Sequence, residues 1–119
     1  MEPSWTLPRL VDLARATELL LTGRFVEAEE APDVGLVTDV VDPRSVIDQA
    51  LEIAGMIAGN SPVGVAMIKQ VVRTNVHAPS LEAALELENR NQVIAANTDD
   101  MAEALPAFRG KRRPTFVGR

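Results

Sequence analysis

Apolar residues recur at helical spacing through most of this chain, and the punctuation between the runs is that of helix caps. Residues 9–22 carry Leu10, Val11, Leu13 and Ala14, then Leu19-Leu20-Leu21 ahead of Thr22-Gly23. Gly23 reads as a helix stop. Three consecutive leucines point round much of a helix, which predicts burial on more than one side. Arg24-Phe25-Val26 reads as a short extended piece. Residues 27–34 read as one or two helical turns broken by Pro32. Gly35 turns the chain, and Leu36-Val37-Thr38-Asp39-Val40-Val41 fits a short strand, since β-branched residues favour a pleated surface.

Asp42-Pro43 predicts the start of the next helix, with Asp as N-cap and Pro at the first helical position. Over residues 43–59, Val46, Ala50, Ile53 and Ile57 form one stripe, with Ile47, Leu51, Ala54 and Ala58 beside it. That is a wide apolar face. Gly59-Asn60 closes it, and Ser61-Pro62 repeats the cap-then-proline start. Val65, Ile68, Val72 and Val76 follow at helical spacing. Pro79-Ser80 opens a helix over roughly 80–96, and Thr98-Asp99-Asp100 opens another that stops near Pro106 to Phe108. Its acids suit the positive end of the helix dipole. Residues 109–119 read as irregular. The expected fold class is therefore mainly α, with one or two short strands near residues 24–41, in a single domain over 1–119.

Composition sharpens this picture. With 46% apolar and 24% charged residues the chain is that of an ordinary globular domain. No run of eighteen apolar residues predicts a membrane span, and Met1-Glu2-Pro3-Ser4-Trp5 lacks the layout of a secretion signal. Zero cysteines exclude a disulfide framework and a thiolate nucleophile, and the one histidine, His77, excludes most His-based metal sites. A cytoplasmic location, no cofactor and no metal are the expectation. Charge is uneven. Residues 109–119 hold five bases and no acid, whereas the other 108 residues hold seven bases and seventeen acids. An acidic body disfavours nucleic acid and anionic membranes as partners, while a short basic tail suits a single phosphate group.

Little local chemistry stands out. No GxGxxG, P-loop or HExxH occurs. Glu82, Glu86 and Arg90 read as a helical ladder in which Glu86 pairs with Arg90. Asp99, Asp100 and Glu103 have metal-ligand chemistry, but helix capping explains the same residues. The tail differs: Ala107-Phe108-Arg109-Gly110-Lys111-Arg112-Arg113-Pro114-Thr115-Phe116 mixes bases with two aromatics. It suits either a solvated terminus or a clamp in which an aromatic covers an adenine and a lysine holds a phosphate.

The order of motifs resembles the C-terminal part of the enoyl-CoA hydratase/isomerase (crotonase) family. The resemblance is carried by Trp5-Thr6-Leu7-Pro8-Arg9-Leu10-Val11, Glu18-Leu19-Leu20-Leu21-Thr22-Gly23, Glu29-Glu30-Ala31 and Gly35-Leu36-Val37. It continues through Ser61-Pro62, Ile68-Lys69, Glu88, Thr98-Asp99-Asp100-Met101-Ala102-Glu103, Ala107-Phe108, Lys111-Arg112, Pro114 and Phe116. It implies a helical segment that covers a β/α spiral core and builds trimers. It also implies a coenzyme A thioester as ligand, in a site often shared between subunits, with Phe108 and Lys111 near the CoA nucleotide. Gly110 stands where the family commonly carries an acid, which bears on the geometry of Lys111.

The same resemblance implies that the family's oxyanion-hole segments and catalytic glutamates lie upstream of these residues. No catalytic residue is assigned here, and the chain alone is expected to be inactive, as part of a split or truncated coding sequence. Its expected partners are further copies of itself or a chain carrying the crotonase core. The competing expectation is a non-enzymatic oligomerisation or regulatory module that assembles with intact relatives.

Overall fold

The structure, a computed structural model, describes residues 3–119; Met1-Glu2, the start read above as lacking a secretion signal, lies outside them. Six helices follow one another: α1 (Pro3–Leu10), α2 (Leu13–Thr22), α3 (Val46–Ala58), α4 (Pro62–Asn75), α5 (Leu81–Ala96) and α6 (Asp99–Arg109). None is long and apolar enough by itself to cross a membrane. The chain divides into two compact units, the first ending at Ile47 and the second running from Asp48 to Arg119.

In the first unit, the helix expected over 9–22 is split. Asp12 takes an extended conformation and its carboxylate accepts the Arg15 N–H at 2.7 Å, so it caps α2 and ends any continuation from α1. α1 packs against α2, with Val11, Ala16 and Leu19 buried. The Arg9 guanidinium lies 3.5 Å from the Trp5 ring centroid and donates to the Trp5 carbonyl at 2.7 Å. Gly23 stops α2 as expected: at φ +62 it is left-handed, and its N–H reaches the Leu19 carbonyl.

Residues 24–41 contain no strand among the described residues, which corrects the expected β element. A strand needs a ladder partner for its amides, and among the described residues no ladder forms. The segment is instead a set of turns, with Ala31 N–H on the Glu27 carbonyl and Leu36 N–H on the Ala31 carbonyl. One cation ties it down. Arg24 bonds Glu18 at 2.7 Å and Glu30 at 2.6 Å, bridging α2 to the turns. Gly35 is required twice over: its φ is +79, and a Cβ there would sit 3.2 Å from the Leu10 carbonyl.

α3 begins three residues later than Asp42-Pro43 predicts. The Asp42 carboxylate accepts the Arg44 N–H at 2.9 Å, two residues on, which makes a turn rather than a helix cap. Every large apolar side chain of α3 is exposed, among them Ile47, Leu51, Met56 and Ile57. In the second unit, α3 and α4 meet at 107° across the break at residues 59–61. Ser61, Ser80 and Thr98 cap α4, α5 and α6, each accepting the N–H three residues on. The buried residues here are few: Ala107, Asn91 and Asp100.

Candidate functional site

Phe108 and Lys111 lie together at the end of α6, which the structure carries past Pro106 to Arg109. Pro106 gives up its own N–H bond, yet its carbonyl still accepts Gly110 N–H at 2.9 Å, so the last turn closes. The helix then ends in a Schellman turn. Arg112 N–H reaches the Ala107 carbonyl at 3.0 Å, and Lys111 N–H reaches the Phe108 carbonyl at 3.1 Å. This turn demands a left-handed residue, and the residue that supplies it is Lys111, at φ +49. Among the described residues it is the sole non-glycine with positive φ. Gly110 has an ordinary φ of −82, but a Cβ there would meet the Pro106 carbonyl at 3.2 Å. Glycine thus serves close approach, and lysine takes the strained position.

Phe108 is 84% exposed, and Lys111, three residues on, is exposed as well. Of the tail's five bases, Arg112 is paired with Glu103 and Arg119 with Asp99; Arg109, Lys111 and Arg113 form no ion pair among the described residues. The second aromatic behaves differently. Phe116 is half-buried in a crevice of about 160 Å³ shared with Ser61, Val63, Ala104 and Met101.

Residues 112–119 have no regular secondary structure, as expected, but they are not a loose tail. They run back along α6. Glu103 receives both Arg112 and the Thr115 N–H, the latter at 3.0 Å. One helical turn earlier, the Asp100 carboxylate accepts Val117 N–H at 2.7 Å and Gly118 N–H at 3.1 Å. Its second oxygen accepts the Ser61 hydroxyl at 2.6 Å. Asp100 is 2% exposed and has no cationic partner among the described residues, where neutral donors satisfy it. The Ser61 hydroxyl, helped by the two amides, holds its carboxyl below the usual range against the cost of desolvation. The Arg112 guanidinium and the Thr115 amide bring Glu103 down to about 2.

The remaining sequence candidates resolve simply. Among the described residues no group of three His, Cys, Asp or Glu could hold a metal. The carboxylates of Asp99, Asp100 and Glu103 are taken up by arginines, amides and a hydroxyl. The Glu86–Arg90 pair does not form; the Arg90 guanidinium donates to the Asn91 side-chain oxygen Oδ1 at 3.4 Å. Asn91 lines an open apolar cleft of about 360 Å³ between α4 and α5. The pairing of Asp100 with Ser61 is invisible in the sequence, where Asp100 reads as a dipole-favoured first-turn acid or a member of a metal-ligating trio.

A family model described as enoyl-CoA hydratase/isomerase matches residues 1–119. The 1,2-epoxyphenylacetyl-CoA isomerase of Escherichia coli K12 is 34% identical over 116 residues, covering 98% of this chain and 44% of its own length. The short-chain-enoyl-CoA hydratase of Clostridium acetobutylicum is 35% identical, covering 90% and 41%. Among solved structures, the enoyl-CoA hydratase of Bacillus anthracis superposes with a TM-score of 0.93 at 36% identity, over 98% of this chain and 45% of that one. The chain therefore spans less than half the length of the relatives it matches.

Proposed function

The chain belongs to the enoyl-CoA hydratase/isomerase family, and on that premise we propose that its 119 residues supply the coenzyme A-facing, helix-rich C-terminal part of an acyl-CoA enzyme. Lys111 provides a cation for a phosphate of the CoA nucleotide, and Phe108 provides an apolar face for its base. The single observation that carries this reading is the Schellman turn. It spends backbone strain to present, three residues past an exposed ring, an ammonium without an ion pair among the described residues, and a chain that needed only a helix stop would place glycine at that position. The names of the relatives support a CoA thioester as the ligand class.

Stabilising the developing enolate oxygen is commonly the largest catalytic contribution in such chemistry. None of these residues is assigned to that work or to proton transfer. Binding of the CoA moiety is their contribution, and turnover requires the remainder of the crotonase fold. The exposed apolar face of α3 favours a second contribution, assembly with that remainder or with further copies.

The test is reconstitution. The 119-residue chain is co-expressed with the complementary N-terminal portion of a relative and assayed on but-2-enoyl-CoA. The complex should turn over and the chain alone should not. Lys111→Ala should raise KM about 10- to 100-fold, as loss of a hydrogen bond to a charged group would, while leaving the size of the complex unchanged. Unchanged KM would remove Lys111 from the CoA site and leave assembly as the function.

A further inference from the structure

The C-terminal segment and α6 form a two-armed clip. α6 runs from Asp99 to Arg109, the chain reverses at Gly110-Lys111, and residues 112–119 return along the helix. Lys111 sits at the apex. Two acids on one face of α6, one turn apart, hold the returning arm: Glu103 near the apex and Asp100 at the far end. Asp100 does more than join the arms. Through the Ser61 hydroxyl it fastens both to the start of α4. Gly118 completes the seat: its φ of +78 favours glycine, and it lies against the Pro62 ring.

An enclosed carboxylate is an expensive way to fill space, because desolvating a charge costs more than burying an apolar side chain of similar size. What it provides is direction: its two oxygens collect three donors from two distant stretches of chain. The strained apex needs such restraint, because a lysine at positive φ relaxes once the flanking segment is free.

We infer that Asp100 is a positioning residue for coenzyme A binding: by latching residues 117–118 and Ser61 together it holds the clip shut and fixes Lys111 at its apex. This rests on the reading of Lys111 given above, so the test separates the two.

The first arm is proteolysis of the 119-residue chain. Asp100→Asn should speed tryptic cleavage after Lys111 and Arg112 at least about tenfold with helix content retained, the bond after Arg113 being closed to trypsin by Pro114. Unchanged protection overturns the latch. The second arm is kinetic, in the reconstituted complex. Asp100→Asn should raise KM for but-2-enoyl-CoA about as much as Lys111→Gln does, with kcat within about twofold. A freed segment with unchanged KM, alongside a raised KM for Lys111→Gln, overturns the positioning role and leaves Lys111 in place. A complex whose KM ignores Lys111→Gln overturns the proposal through the CoA reading, while the protease arm still decides the latch.

Should Asp100→Asn fail to fold, Ser61→Ala removes one donor and should move both readouts the same way by about threefold; no movement overturns the proposal.

Discussion

Replacing Lys111 by glycine separates the two things that this residue does. Its backbone supplies the left-handed position of the Schellman turn at φ +49, and its side chain supplies a cation. A non-glycine residue held in that region costs about 1 kcal/mol relative to glycine. The two turn bonds, Arg112 N–H to Ala107 and Lys111 N–H to Phe108, involve no side chain and survive the change. Lys111→Gly should therefore stabilise the chain by about 1 kcal/mol, which for a domain near this size raises Tm by about 4 °C. Lys111→Gln keeps the strain and loses the charge, so its Tm should stay within about 1 °C of the parent. Both variants should weaken CoA-ester binding alike. Thermal unfolding followed by far-ultraviolet circular dichroism, with urea midpoints as a check, measures the difference. Equal Tm values for the glycine and glutamine variants would show that the turn carries no strain, and the inference from strain to function would fall with it.

Three further outcomes follow from the same structure. Leu19 is 8% exposed at the heart of the first unit, so Leu19→Ala should cost about 2–4 kcal/mol; a urea midpoint close to the parent's would contradict that packing. Glu103 titrates near 2 in the folded chain against 4.5 for a free glutamate. Its folded pKa is depressed, so the stability it contributes is complete above pH 4.5 and is lost as pH falls toward 2. Tryptic protection of the C-terminal segment cannot be read in that range, but its amide exchange by NMR can. Opening at pH 5 or above would refute the assignment. Finally, the exposed leucine, isoleucines and methionine of α3 should drive self-association of the isolated chain, because burying one such side chain is worth about 1.5–3 kcal/mol. A monodisperse monomer by light scattering, unfolding cooperatively, would argue otherwise.

Local punctuation was legible in the sequence. Ser61-Pro62, Ser80, Thr98 and Gly23 act within three or four residues, and the structure uses each where it was expected. Misreadings arose where a residue had two local options. Asp12 lies inside an apolar run but caps α2, and Asp42 precedes a proline but bonds two residues on. Val37, Val40 and Val41 have strand propensity, which cannot act without a neighbouring strand. Phe108 and Lys111 enter as candidates through the family resemblance alone, and the structure shows both exposed. Asp100 was not legible, because its partners lie 17, 18 and 39 positions away and no local pattern announces them.

The stacking of Arg9 on Trp5 has an optical consequence. The chain contains one tryptophan and no tyrosine, so nearly all of its near-ultraviolet emission comes from α1, with a guanidinium 3.5 Å from the ring. The second unit, with the clip and its Lys111 apex, is dark at those wavelengths. Fluorescence therefore watches the first unit alone, while far-ultraviolet dichroism is dominated by the helices of the second. Two melting curves from one unlabelled sample thus report the two units separately, and a tryptophan introduced at Phe116 would light the other half on demand.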